Sequence, residues 1–182
     1  MTIVRRVALE EHHNMTLLQS PEPQALLLDA PATYPFPKSR EGLLTWSRVE
    51  ELLESAPNYW LATVRPDGRP HIAPLWGGWL DGKFYFQGAP DSRWARNLRT
   101  NPNVSVHLES VHDVVIVDGV ATHVVTDSLL AARLLEAWEG KYGQLEHPPR
   151  ADVAGIYRLQ PRTVRAWGQA LNDGARWIFE EV

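Results

Sequence analysis

The chain has 182 residues, 44% of them hydrophobic, which suits one domain with a sizeable core. A formal net charge of −4 argues against nonspecific nucleic-acid binding, which needs a basic face. The absence of cysteine excludes disulfides, zinc–thiolate sites, iron–sulfur clusters and thiol nucleophiles.

Residues 1–40 read as a proline-rich N-terminal extension, with Pro21, Pro23, Pro31, Pro35 and Pro37 too dense for a long helix. Leu26, Leu27 and Leu28 are too apolar for a free tail, so part of it is expected to lie against the body or a second subunit. No signal-peptide core or membrane-length apolar run is visible, so a soluble, cytoplasmic protein without membrane contact is the expectation.

Residues 41–182 carry the domain. A helix begins near Thr45, where Ser47 and Glu50 have capping-box spacing and Thr45 competes as N-cap; Val49, Leu52 and Leu53 form its apolar stripe. The period then changes to strands: YWLATV, a turn at Arg65-Pro66-Asp67-Gly68, PHIAPLWGGWL, a turn at Asp81-Gly82, and KFYFQG. Pro70 and Pro74 limit the second of these to an edge or bulged strand.

A short helix follows over 91–100, capped by Asp91 or Ser92 and stopped at Asn101-Pro102. VSVHLES alternates as a strand. DVVIVDGVATHVVT reads as one long strand with a bulge at Gly119. DSLLAARLLEAWEGKY is a helix capped by Asp127 or Ser128, GQLEHPPR is a loop, and GIYRLQ, TVRAWG and ARWIFEE close the chain as strands. Consecutive strands with turn signals imply antiparallel pairing, and a small β-barrel with a few covering helices is the natural architecture.

Catalytic and metal motifs are scarce. There is no GxGxxG after a strand, no P-loop, no HExxH and no GxSxG elbow. Of the seven histidines, none forms a helix-spaced ligand pair.

The stretch FYFQGAPDSRWARNL is different. Ser92, Arg93 and Arg96 lie at a helix start, where unpaired N–H groups, a hydroxyl and guanidinium groups favour an anion. The strand Phe84–Gly88 just upstream offers a wall for a flat ring. The plainer alternative is an amphipathic helix whose arginines face water.

Three segments together, TVRPDGRPHIAPLWGGWLDGKFYF, GAPDSRWARNLRTNPNVSVHLES and VVIVDGVATHV, resemble the pyridoxamine 5′-phosphate oxidase-like family of split β-barrels over residues 45–180. The resemblance implies a mainly β (α+β) fold: a six-stranded antiparallel split barrel of Greek-key type with a few covering helices. It also implies a homodimer with FMN, or the deazaflavin coenzyme F-420, in grooves at its interface. The strand His71, Ile72, Ala73, Pro74, Leu75, Trp76 would flank the ring, with Gln87 and Gly88 beside it. Ser92, Arg93, Arg96 and Asn97 would belong to the phosphate end, and Trp167 would complete the ring site from the partner subunit. Trp177 is a second candidate for that place but reads better as core.

Departures from the pattern point away from pyridoxamine phosphate oxidation itself. The family's oxidases carry Arg and Lys bracketing the segment that begins here at His71 and ends at Trp76. They place Lys after the Ser-Arg pair, where this chain has Trp94, and Gln and Arg on the strand that here reads Val114-Val115-Ile116. Their C-terminal Arg-x-His is absent from WGQALNDGARWIF. The expected activity is hydride transfer between a flavin-type ring and a small planar substrate, with no separate catalytic acid or base. The alternatives are a deazaflavin-dependent reductase, a non-catalytic flavin or haem carrier with His71, His107 or His112 as axial ligand, and a dimer without cofactor.

Overall fold

The computed structural model describes residues 22–143 and 155–180. Of the loop expected over 143–150, all but Gly143 lies outside them. Three helices and nine strands are present among the described residues. They are β1 (Leu26–Leu27), α1 (Trp46–Ser55), β2 (Tyr59–Val64), β3 (Pro70–Leu75), β4 (Gly77–Leu80), β5 (Lys83–Gln87), α2 (Arg93–Leu98), β6 (Asn103–Leu108), β7 (Asp113–His123), α3 (Ser128–Tyr142), β8 (Ile156–Gly168) and β9 (Ala175–Ile178).

All strand pairs are antiparallel, in the order β1-β9-β8-β7-β6-β2-β3, with β5 joining β4 to β8. β3 and β4 are one bent strand broken at Trp76: the first half pairs with β2 and the second with β5. Taking the bent pair as one strand gives six in the circuit β2, β3/β4, β5, β8, β7, β6. The hydrogen-bonded sheet does not close; the chain running through Trp76 completes the circuit. β8 also divides its edge, giving Ile156–Leu159 to β5 and Thr163–Ala166 to β9. This is the split barrel. The extra strands relative to six are β1, β9 and the division of the bent strand.

Local chemistry sets the boundaries. Thr45, not Ser47, caps α1 by accepting from the Arg48 N–H at 3.2 Å, while the Ser47 N–H donates to Glu22 Oε1 at 3.2 Å. The capping-box reading therefore fails because Glu22, 25 residues upstream, occupies that donor. The Arg65–Arg69 turn forms as expected, with the Arg65 N–H donating to Arg69 O at 2.9 Å. β3 is terminal in the strand order, as its two prolines require.

The register shift at Asp118/Gly119 places the bulge where the sequence indicated. The extra residue of the bulge is Arg162 of the facing strand, between Pro161 and Thr163 in the register. GIYRLQ and TVRAWG are thus one strand of 13 residues rather than two, because the bulge accommodates Pro161. A Cβ on Gly119 would sit 2.1 Å from Gln160 O, so only glycine fits opposite the bulge.

The main core fills the barrel with Tyr59, Leu61, Phe84, Phe86, Val106, Val115, Leu159 and Val164. It continues into an aromatic cluster where Trp46 meets Trp79, Trp177 and Phe179 at 5.2–6.0 Å. A second cluster of Tyr85, Leu134, Trp138 and Ile156 seats α3 on the outside of β5 and β8.

The leucine-rich part of the extension lies against the same chain. Leu26 and Leu27 pair with Arg176 and Ala175, and Phe36 packs edge-on to Trp167 with centroids 5.7 Å apart. Among the described residues no helix is long and apolar enough to cross a membrane.

Candidate functional site

The site is built where α2 rests on β2 and β3. β5 ends at Gln87; the Gly88 N–H donates to Gly155 O at 3.1 Å and the chain turns through 89–91. Ser92 then caps α2, its Oγ accepting from the Ala95 N–H at 3.3 Å. The hydroxyl is therefore partly engaged within its own helix.

The helix is oriented from beneath by a buried polar chain. Asn97 is 0% exposed, and its Nδ2 donates to Thr63 Oγ1 at 2.9 Å. Thr63 Oγ1 in turn donates to the backbone oxygen of His71 at 3.3 Å. Asn97 thus ties α2 to the predicted ring strand from inside the barrel, while its Oδ1 has no protein partner. Asn97→Ala is expected to cost about 1–3 kcal/mol by leaving buried polar groups unpaired. Urea unfolding measures it, and an unchanged midpoint would refute the role.

His71 on β3, Arg65 in the β2–β3 turn and Arg93 on α2 are the basic groups next to this chain. His71 has its imidazole pKa pushed down by partial burial, and further by the guanidinium groups of Arg65 and Arg93. Arg65 comes from the β2–β3 turn and Arg93 from the first turn of α2. Arg96 is exposed on the same helix. Arg99 turns back to donate to Pro90 O at 2.7 Å, which braces the 89–91 turn.

β3 divides the remaining candidates between two faces. His71 and Ala73 are half-buried on the barrel side. Ile72, Pro74 and Trp76 face out, Ile72 at 56% and Trp76 at 63% exposure. They continue an apolar face over β2, where Ala62 pairs with Ile72 and Trp60 with Pro74. As the terminal strand of the path, β3 also has an edge away from β2 with backbone groups unpaired in the sheet.

Trp167 is half-buried at the far end of the outer face, against Phe36. Trp177 is 0% exposed and belongs to the core.

Two features escaped sequence reading. Trp94 turns inward and packs on Phe86 at 5.3 Å and Tyr157 at 5.0 Å. The position that resembles the oxidases' lysine is therefore a core position here. The second feature is the end of α3, where the Lys141 ammonium donates to Tyr59 OH at 2.7 Å. Burial pushes Lys141 down to about 8, with Glu54 pulling it up. The unfolded chain keeps this proton up to about its ordinary 10.5, so between these values the unfolded state binds more protons. Stability should therefore rise as pH climbs from about 8 toward 10. Above that the sign reverses, because Tyr59 is held protonated in the fold by burial. Denaturant unfolding across this window should show the rise in wild type and a flat profile in Lys141→Met.

Comparison with known proteins fits this geometry. A family model described as pyridoxamine 5′-phosphate oxidase matches residues 45–168. The chain belongs to the pyridoxamine 5′-phosphate oxidase-like family of split barrels, a family that includes oxidases and reductases. Among solved structures it is similar to the conserved hypothetical protein Rv2991 of Mycobacterium tuberculosis, with 26% identity and a TM-score of 0.60 over 72% of this chain and 90% of that one. It is similar to a structure named F420 reductase, with 28% identity and a TM-score of 0.51 over 63% of this chain and 94% of that one. General Stress Protein 26 of Bacillus anthracis shares the fold, at 21% identity and a TM-score of 0.58 over 73% of this chain and 97% of that one. No curated protein matches by sequence.

Proposed function

We propose that this protein is an oxidoreductase that binds FMN at the interface of a homodimer and exchanges hydride with a small planar substrate. The observation that carries the proposal is the placement of α2, with Arg93 and Arg96, against β2 and β3, next to the turn that carries Arg65 and the free edge of β3. A flavin-type ring with an anionic tail needs cations at one end and a flat apolar wall with free backbone groups at the other. Arg65, Arg93 and exposed Arg96 fit the first need, and Ile72, Pro74 and Trp76 fit the second.

When bound, the ring supplies the two-electron chemistry. This chain's residues do the rest. Arg93 and Arg96, with Ser92, hold the phosphate. The β3 edge orients the ring. His71, kept neutral near pH 7 by its surroundings, offers a hydrogen-bonding group without adding charge. The apolar outer face of β2 and β3 is closed by a second copy of the chain, whose Trp167 excludes water from the ring.

One observation favours a second reading within the same class. At 28% identity, the neighbour named F420 reductase points to the deazaflavin as carrier, and the inward turn of Trp94 removes a cation that FMN phosphate would use. Anaerobic titration with each carrier, read by ring absorbance, separates the two. A perturbed FMN spectrum supports the main reading, and a response to the deazaflavin alone replaces it with the second. Silence with both, or a Soret band on haem addition lost in a His71→Ala variant, overturns them. Light scattering of the same sample tests the dimer.

A further inference from the structure

α3 lies outside the barrel, and the ring site as described makes no use of it. Its last turn nevertheless grips the site's support. Trp138, Lys141 and Tyr142 are spaced three and four apart, so they share one helix face. All three meet the Gly77–Gly78 bend that directly follows Trp76.

The contacts are specific. Tyr142 Oη donates to Gly77 O at 3.0 Å and lies 3.2 Å from the Gly77 N–H, which donates to it. Lys141 Nζ lies 3.4 Å from the same carbonyl and 2.7 Å from Tyr59 OH, which itself donates to Leu53 O. Trp138 presses on Gly78 so closely that a Cβ there would lie 2.8 Å from its Nε1. On the barrel side a Cβ on Gly77 would lie 2.3 Å from the Phe84 ring. The two glycines let helix and barrel close on bare backbone from opposite sides.

The bend also carries the exposed ring. Trp76 stacks on Tyr142 with centroids 5.3 Å apart and planes at 20°. One face of Trp76 is thereby occupied, while the residue as a whole stays 63% exposed.

We propose that the last turn of α3 is a positioning element for the ring site: Tyr142, backed by Lys141 and Trp138, fixes Gly77 and sets the plane of Trp76. This rests on the reading of β3 as the ring strand, but its first readout does not. The side chain of Tyr142 reaches the ring only through Trp76, so it is a positioning residue and not a catalytic one.

The test labels the full-length protein with 5-fluorotryptophan and assigns the Trp76 resonance with Trp76→Phe. Tyr142→Ala is expected to shift and broaden that resonance while the buried tryptophans of the core keep theirs. Tyr142→Phe retains the stacked ring but loses both bonds to Gly77, and should give an intermediate shift. Where wild type binds FMN or the deazaflavin, Tyr142→Ala should weaken it about 10-fold and Tyr142→Phe less. An unmoved Trp76 resonance in folded Tyr142→Ala overturns the proposal. Should Tyr142→Ala fail to fold, Tyr142→Phe decides by the same resonance. A moved resonance in a protein whose wild type binds neither carrier leaves the positioning intact and overturns the functional reading instead.

Discussion

Trp177→Ala is expected to lower stability by about 3–5 kcal/mol, because Trp177 is the largest fully buried side chain among the described residues. Trp177 is 0% exposed, pairs with Trp46 at 5.5 Å, and sits on β9 opposite Val164. Removing it leaves a cavity at the junction of α1, β8 and β9, walled by rings too rigid to collapse inward. At about 2–4 °C per kcal/mol for a chain of this size, the melting temperature should fall by about 6–20 °C. Trp167→Ala, at a half-buried position against Phe36, serves as the contrast and should cost much less. Equal losses for the two would mean that Trp167 also belongs to the folding core.

The second large effect concerns the site. Arg93→Ala should weaken binding of the carrier by about 1–3 kcal/mol, about 5- to 150-fold, through loss of a charge-assisted hydrogen bond. The fold should be untouched, because Arg93 is exposed. A second measurement reads the same charge without any cofactor. Arg93 is one of the groups that hold the His71 pKa down, so the imidazole of Arg93→Ala should titrate nearer its ordinary 6.5 by NMR. Arg99→Ala is the control, since its guanidinium braces Pro90 O. Unchanged affinity in Arg93→Ala would return α2 to the status of a solvated helix.

Much of this arrangement was legible in the sequence because its signals are local. Gly68, Pro70 and Pro74 mark a turn and an edge strand by backbone chemistry alone, and Gly119 announces its bulge. Ser92 and Asn101-Pro102 bound α2 within a residue or two. What stayed hidden depends on residues distant in sequence. The capping box at Ser47 failed because Glu22 arrives from the extension. TVRAWG merges with GIYRLQ because a facing glycine makes room for Pro161. Trp94 read only as standing where the family's oxidases have a lysine, and its packing on Phe86 and Tyr157 makes it a core residue. The hydrogen bond from Asn97 to Thr63 joins residues 34 positions apart, which no local pattern announces. The grip of α3 on Gly77 spans 65 positions, and no periodicity encodes it.

The partner switch along β8 bears on how the molecule is made. Phe84 waits for Leu159, and Leu26 waits for Arg176. A topology so dominated by distant pairings belongs with slow-folding β-proteins, in the millisecond-to-second range. On the ribosome β2, β3 and β6 can pair early, but the circuit lacks its closing member until β8 has left the exit tunnel. Until then the apolar inner face of β5 stays open to the wrong neighbours. β1, among the first residues described, is then among the last to dock, fastening the edge of β9 once nearly the whole chain has emerged.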